Sequence, residues 1–216
     1  MSPELAQVLN TLAHEIRTPL AVSQGYLKLY LDGRFTNAED TRKAFEQTRQ
    51  ALGTLATLCV DMGKVSALAE RESTGVPQRV TAVDFVNSLR AAAEMPEATW
   101  QGDGGAGQFV TGNVTELAQA VAIVLKAAFD EAKDAPHVVK TDGTTDLIVL
   151  AGVNASVPAL QTGPDGAGAR AVNFVKGGKG LKLIWAAFVL DKHSVQTWTH
   201  SDHRASVGLR IPLVQA

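Results

Sequence analysis

The sequence predicts an α+β protein. An N-terminal antiparallel helical hairpin would pair with a second copy as a four-helix bundle, and a C-terminal α/β sandwich would follow. Three observations carry this. Apolar residues recur at steps of three and four before residue 73. The composition changes at Ser73-Thr74-Gly75-Val76-Pro77, a turn-forming cluster. Beyond it, glycine-rich stretches alternate with short β-branched runs. The expected organisation is a hairpin over 1–72, a linker over 73–78 and an α/β domain over 79–216.

The first helix is expected from Pro3 to about Leu31, with Leu5, Val8, Leu9, Leu12, Ile16, Leu20, Leu27 and Tyr30 on the helical period. Asp32-Gly33-Arg34-Phe35 breaks the pattern. Thr36-Asn37-Ala38-Glu39 then has capping-box form, with Thr36 and Glu39 each able to satisfy a free N–H. The second helix carries Phe45, Leu52, Leu55, Cys59, Met62, Val65 and Leu68 in a coiled-coil-like seam. Cys59 is expected to pack in that seam rather than act as a reactive thiol. One hairpin cannot cover both of its stripes, so a homodimer is expected.

In the second part, Arg79–Ala82, Gln108–Thr111, Leu147–Leu150 and Val207–Leu213 read as strands. Val83–Ala93, Thr115–Ala132 and Gly180–Leu190 read as helices, with Trp185 in the core. Helices packed on one face of a mixed sheet are the expected arrangement.

The chain has 216 residues, 45% hydrophobic and 19% charged, so it can build a core. Its net charge of -2 argues against a nucleic-acid binder, which needs clustered positive charge. A single cysteine allows no internal disulfide. No apolar run is long enough to span a bilayer, and the N-terminus lacks the features of a signal peptide. A cytoplasmic protein without membrane contact is expected.

The most informative segment is His14-Glu15-Ile16-Arg17-Thr18-Pro19-Leu20. With Leu9 as the reference direction and about 100° per residue, His14 falls about 140° away and Thr18 about 180° away. Both therefore project to solvent, one turn apart. An exposed imidazole beside a carboxylate is a plausible nucleophile, because the carboxylate can orient the ring and set its tautomer. Ala21, Val22 and Gly25 share the face of His14 and Thr18. These short residues would let a partner helix approach closely, and Arg17 could contact phosphate or an acidic rim. His200 and His203 flank Asp202 but lack evident further ligands for a metal.

His-Glu-Ile-Arg-Thr-Pro-Leu resembles the H-box of bacterial two-component sensor histidine kinases at all seven positions. The resemblance implies that His14 is the phosphoacceptor, that Glu15 is its general acid/base, and that Thr18 positions a water in dephosphorylation of a partner. Gly178-Lys179-Gly180-Leu181-Lys182-Leu183 is similar to the family's glycine-rich box, with Lys182 in place of the last glycine. Ser206–Leu213 resembles its closing strand.

The rest departs from that pattern. Ile123 and Ala127 stand where two asparagines would hold Mg²⁺ and phosphate, and neither can ligate a hard cation. Ala151 stands where an aspartate would bond the adenine amine. Asp165-Gly166-Ala167-Gly168 reads as a surface loop instead, within a shortened remnant of the lid over Val153–Lys176. Met1 lies just ahead of the H-box helix with no sensor domain before it, so nothing is expected to regulate autophosphorylation.

The expectation is a histidine phosphotransferase on a degenerate kinase scaffold, shuttling phosphoryl groups between His14 and receiver-domain aspartates. Its partners would be response-regulator receiver domains, which supply the Mg²⁺. The chain itself would bind no cofactor, metal or ATP. The alternatives are a divergent kinase, using Asp130 or Glu131 near the metal, and a non-enzymatic module that binds a response regulator.

Overall fold

A computed structural model describes residues 3–69, 77–105, 107–154, 156–174 and 180–215. Two long helices come first, α1 (Pro3–Leu31) and α2 (Ala38–Ala69). They are followed by β1 (Gln78–Thr81), α3 (Ala82–Ala93), β2 (Thr99–Gln101), β3 (Gln108–Gly112) and α4 (Val114–Phe129), which ends in a 3-10 turn at Asp130–Ala132. Then come β4 (His137–Gly143), β5 (Asp146–Val153), α5 (Val157–Leu160), β6 (Ala169–Ala171), α6 (Gly180–Lys192), β7 (Gln196–His200), β8 (His203–Pro212) and β9 (Val214–Gln215). Most of the expected 73–78 linker lies outside the described residues.

The hairpin turn is fixed by local chemistry. Arg34 N–H donates to the Leu29 carbonyl and Gly33 N–H to that of Tyr30, the paired bonds that close a helix on a left-handed residue. Gly33 is that residue, with φ +65°. The cap of α2 is Asn37 rather than Thr36: its Oδ1 accepts from the Asp40 N–H at 2.8 Å. One position of shift makes Asp40, not Glu39, the reciprocal partner.

Where α1 meets α2, the buried side chains are small or polar: Ser23, Ala44, Thr48, Ala51 and Asp61, with Leu58 at the far end. The large apolar residues lie elsewhere. Leu9, Leu20, Leu27 and Leu31 form one exposed row on α1, and Phe45, Leu52 and Met62 another on α2. The Leu9 direction is therefore an outer face of the protomer, not its interior. Cys59 lies exposed on the outer row, correcting the expectation that it is packed. The side chains of Val65 and Leu68 lie outside the described residues.

The strands form two sheets rather than one. A small antiparallel sheet has the order β1-β3-β9, and a six-stranded mixed sheet has the order β2-β4-β5-β8-β7-β6. Only β2 and β4 run parallel in the latter. Alternation along β5 splits its side chains between two layers. Leu147, Val149 and Ala151 join the main core with α3, α4 and α6, while Leu150 faces a small cluster with Val138, Val157, Leu160 and Trp198. Gly208 gives the Trp198 ring its seat: a Cβ there would lie 2.2 Å from the indole.

Candidate functional site

α1 presents His14, Arg17, Thr18, Ala21, Val22 and Gly25 to solvent, as their shared helix face predicts. The inward direction of α1 is set by Val8, Leu12, Ile16, Pro19 and Ser23, rotated by roughly 70° from Leu9 at the usual helical pitch. His14 remains on the far side after that rotation. Glu15 does not: it falls on the flank of the inward face and is half-buried. Pro19 leaves the α1 ladder short of one N–H, and its ring is buried.

Glu15 meets α6 at this flank. The backbone N–H of Leu181, in the first turn of α6, and the side chains of His14 and Asp61 lie close enough to act on its carboxylate electrostatically. Burial pushes the Glu15 carboxyl above its ordinary range. The Leu181 N–H and the His14 ring oppose that rise, and Asp61 adds to it. From the sequence, Asp61 has no assigned role and Leu181 enters only within the glycine-rich segment. Asp61, an acid buried between Cys59 and Met62 of the apolar stripe, was a visible signal. The Leu181 contact, formed across the whole chain, had none.

α6 lies against both hairpin helices. Leu58 of α2 belongs to the same buried cluster as Leu181, Ile184 and Trp185, and Val8, Leu12, Ile16 and Leu55 pack on it. The hairpin and the C-terminal domain therefore share one core, and Trp185 is part of it as expected.

A cavity of about 320 Å³ opens between α4, α6 and the β6–β8 end of the large sheet. Ala127 lines it with a methyl group, beside Val124 and Ala128. Ile123 is half-buried in the same helix. Polar groups reach the cavity from Glu131, Arg170, Asn173 and Thr199. Ala151 is sealed inside β5, which runs past the expected strand end to Val153 and pairs it with Val139 and Val207. Asp165–Gly168 form a turn between α5 and β6. Gly178 and Lys179 of the glycine-rich segment lie outside the described residues. The rings of His200 and His203 lie 5.3 Å apart at the β7–β8 turn, tilted by 42°. Among the described residues, no group of three or more His, Cys, Asp or Glu side chains is placed to hold a metal ion.

The family model of the His Kinase A (phospho-acceptor) domain matches residues 4–66. Among solved structures, the chain is similar to the Acinetobacter baumannii histidine kinase AdeS, at 14% identity and a TM-score of 0.60, over 92% of this chain and 97% of that one. It is also similar to full-length ShkA in complex with AMPPNP, at 17% identity and a TM-score of 0.56, over 100% of this chain and 47% of that one. At these identities the likeness is one of fold. No curated protein sequence matches. No helix among the described residues is long and apolar enough to cross a membrane.

Proposed function

We propose that this histidine-kinase-like chain, with its H-box phospho-acceptor hairpin, is a phosphotransferase that exchanges phosphoryl groups with receiver domains without using ATP. The observation that carries it is His14, exposed on a helix face whose neighbours one, two and three turns on are Thr18, then Ala21 and Val22, then Gly25. A partner helix can approach such a face to within reach of the imidazole.

In the transfer, a ring nitrogen of His14 attacks the phosphorus of a receiver's aspartyl phosphate. The N–P bond forms, the acyl P–O bond breaks, and the receiver regains its carboxylate. The other ring nitrogen gives up its proton, and Glu15 or water takes it. Reversal of these steps passes the group to a second receiver. Positioning and charge neutralisation do most of the work, with Arg17 as a contact for the phosphoryl oxygens or the receiver's acidic rim. Thr18, one turn from His14, orients a water against a docked receiver's phosphate in this reading. The Mg²⁺ of the step belongs to the receiver.

The cavity lining supports the ATP-independent part of this reading. Mg·ATP needs several hard oxygen ligands at the metal, and the α4 wall offers Val124, Ala127 and Ala128. Ala151 has no group for an adenine amine. Those positions offer the nucleotide complex no ligand, and oxygen groups of the lining come from Glu131, Asn173 and Thr199 instead. The cavity itself favours the second reading, a divergent kinase.

The hairpin also calls for a second copy. Its exposed rows of Leu9, Leu20, Leu27, Phe45 and Leu52 exceed the scattered apolar exposure of a monomer. Two-fold pairing would cover each row with its equivalent.

One experiment separates the readings. The purified chain and His14→Ala are incubated with radiolabelled Mg·ATP and, separately, with a phosphorylated receiver. Acid-labile label on the wild type from the receiver alone is expected. Label from ATP would make the protein a kinase. Label from neither donor, with stable receiver binding, would make it a binding module.

A further inference from the structure

We propose that the cavity between α4, α6 and the β6–β8 end of the large sheet binds a small zwitterion, an amino acid with an apolar side chain, whose carboxylate meets Arg170 and whose ammonium meets Glu131.

The two charges reach the cavity from different walls. Val124, Ala127, Ala128 and Glu131 follow one another at helical steps, so the Glu131 carboxylate closes the apolar stripe of α4 in the 3-10 turn that ends it. On the sheet wall, Arg170 of β6 and Thr199 of β7 are register partners. Paired residues point to the same face of a sheet, and their chain neighbours Ala169 and Trp198 pack in the cluster on the opposite face. Arg170 therefore projects over the cavity, on the side of α4 and α6. Neither Glu131 nor Arg170 is in an ion pair among the described residues. Both side chains are exposed, so each is open to a counter-charge from solution.

The neutral lining favours an ammonium and an apolar body. The Thr199 hydroxyl donates to the Ser206 carbonyl at 2.7 Å, the Ser201 hydroxyl to the Asp202 carboxylate at 3.1 Å, and the Ser206 hydroxyl to the His203 carbonyl. With their protons committed, these oxygens offer lone pairs only, which suits a ligand group that is all donor. Val124, Leu183 and Val207 supply an apolar seat. At about 320 Å³ the cavity is at the small end of ligand pockets. Charge balance tells against a polyphosphate. Among the described lining, the Glu131 carboxylate offsets the Arg170 guanidinium and leaves no net positive field for several negative charges.

The test is calorimetric titration of the full chain with L-leucine, backed by methyl resonances. L-leucine should bind at about millimolar strength or tighter. It should shift the methyls of Val124, Leu183 and Val207 and leave Leu160, on the other face of the sheet, unmoved. 4-Methylpentanoate lacks the amine and isoamylamine lacks the carboxylate, and each should bind about tenfold more weakly. Glu131→Gln and Arg170→Gln should each weaken L-leucine by about tenfold. An unchanged thermal midpoint in both variants reports an intact fold.

No binding of L-leucine, L-valine or L-phenylalanine overturns the inference. So does L-leucine binding that both variants retain at wild-type strength, and so does either single-charge analogue binding as tightly as L-leucine. AMPPNP with Mg²⁺ that displaces L-leucine and shifts the same methyls overturns it too, since the cavity would then be a nucleotide site.

Discussion

Leu52→Ala should weaken self-association by about 30-fold. Leu52 sits on the outer row of α2 and leaves 53% of its surface uncovered in one protomer. Burying a whole leucine side chain contributes about 1.5–3 kcal/mol, so covering the exposed half contributes about 1 kcal/mol. In a two-fold dimer the residue enters once from each copy, which doubles the loss to about 2 kcal/mol. Truncation in the free protomer costs little, because the inner contacts of α2 run through Ala44, Thr48, Ala51 and Leu58 instead. Sedimentation equilibrium over a concentration series measures the effect directly. A wild type that stays monomeric across the series would refute the argument, and so would a variant that associates as tightly as the wild type.

His14→Ala should abolish the acid-labile label from a phosphorylated receiver and leave the thermal midpoint unmoved, since the side chain is exposed; retained label would place the acceptor elsewhere. Glu15→Gln should flatten part of the stability–pH curve. The folded-state pKa of Glu15 is raised by burial above 4.5, so the folded state holds the proton longer. Its contribution is full below 4.5 and is lost as pH rises through the folded value. Denaturation series at several pH values would show this fall in the wild type and its absence in the variant; parallel curves would contradict the burial of Glu15. Leu125→Ala, at a fully buried position of α4, should cost about 2–5 kcal/mol in urea unfolding, and a loss below about 1 kcal/mol would contradict the packing described.

The long helices were legible because their apolar period persists over many turns, and α1 runs from Pro3 to Leu31 as that period predicts. Its direction was not. Helices that approach closely meet through small residues, so the large apolar row of Leu9, Leu20 and Leu27 marks the outer seam. The buried side of α1–α2 is written in Ser23, Ala44 and Ala51. The same weakness hid several strands. β4 and β7 mix His137, Lys140, Gln196 and His200 with apolar residues, and β2 and β6 are three residues each, too short for an alternation to register. Of the site, the exposure of His14 and Thr18 follows from pitch alone. The half-burial of Glu15 depends on α6, which arrives from the other end of the chain.

The two faces of the large sheet are covered unequally. α4 and α6 shield one face across a continuous core, while the other has the four-residue α5 and the small cluster around Leu160 and Trp198. The Trp198 Nε1–H bond to the Leu160 carbonyl, at 3.0 Å, ties that helix to the sheet, and the cap residue Ser156 donates to the Val153 carbonyl at the end of β5. Protection against local opening follows such cover. The α5 flank should therefore lose exchange protection before the α4–α6 face does. It can open to water and close again as thermal fluctuation dictates, while the helices that brace the H-box stay shut.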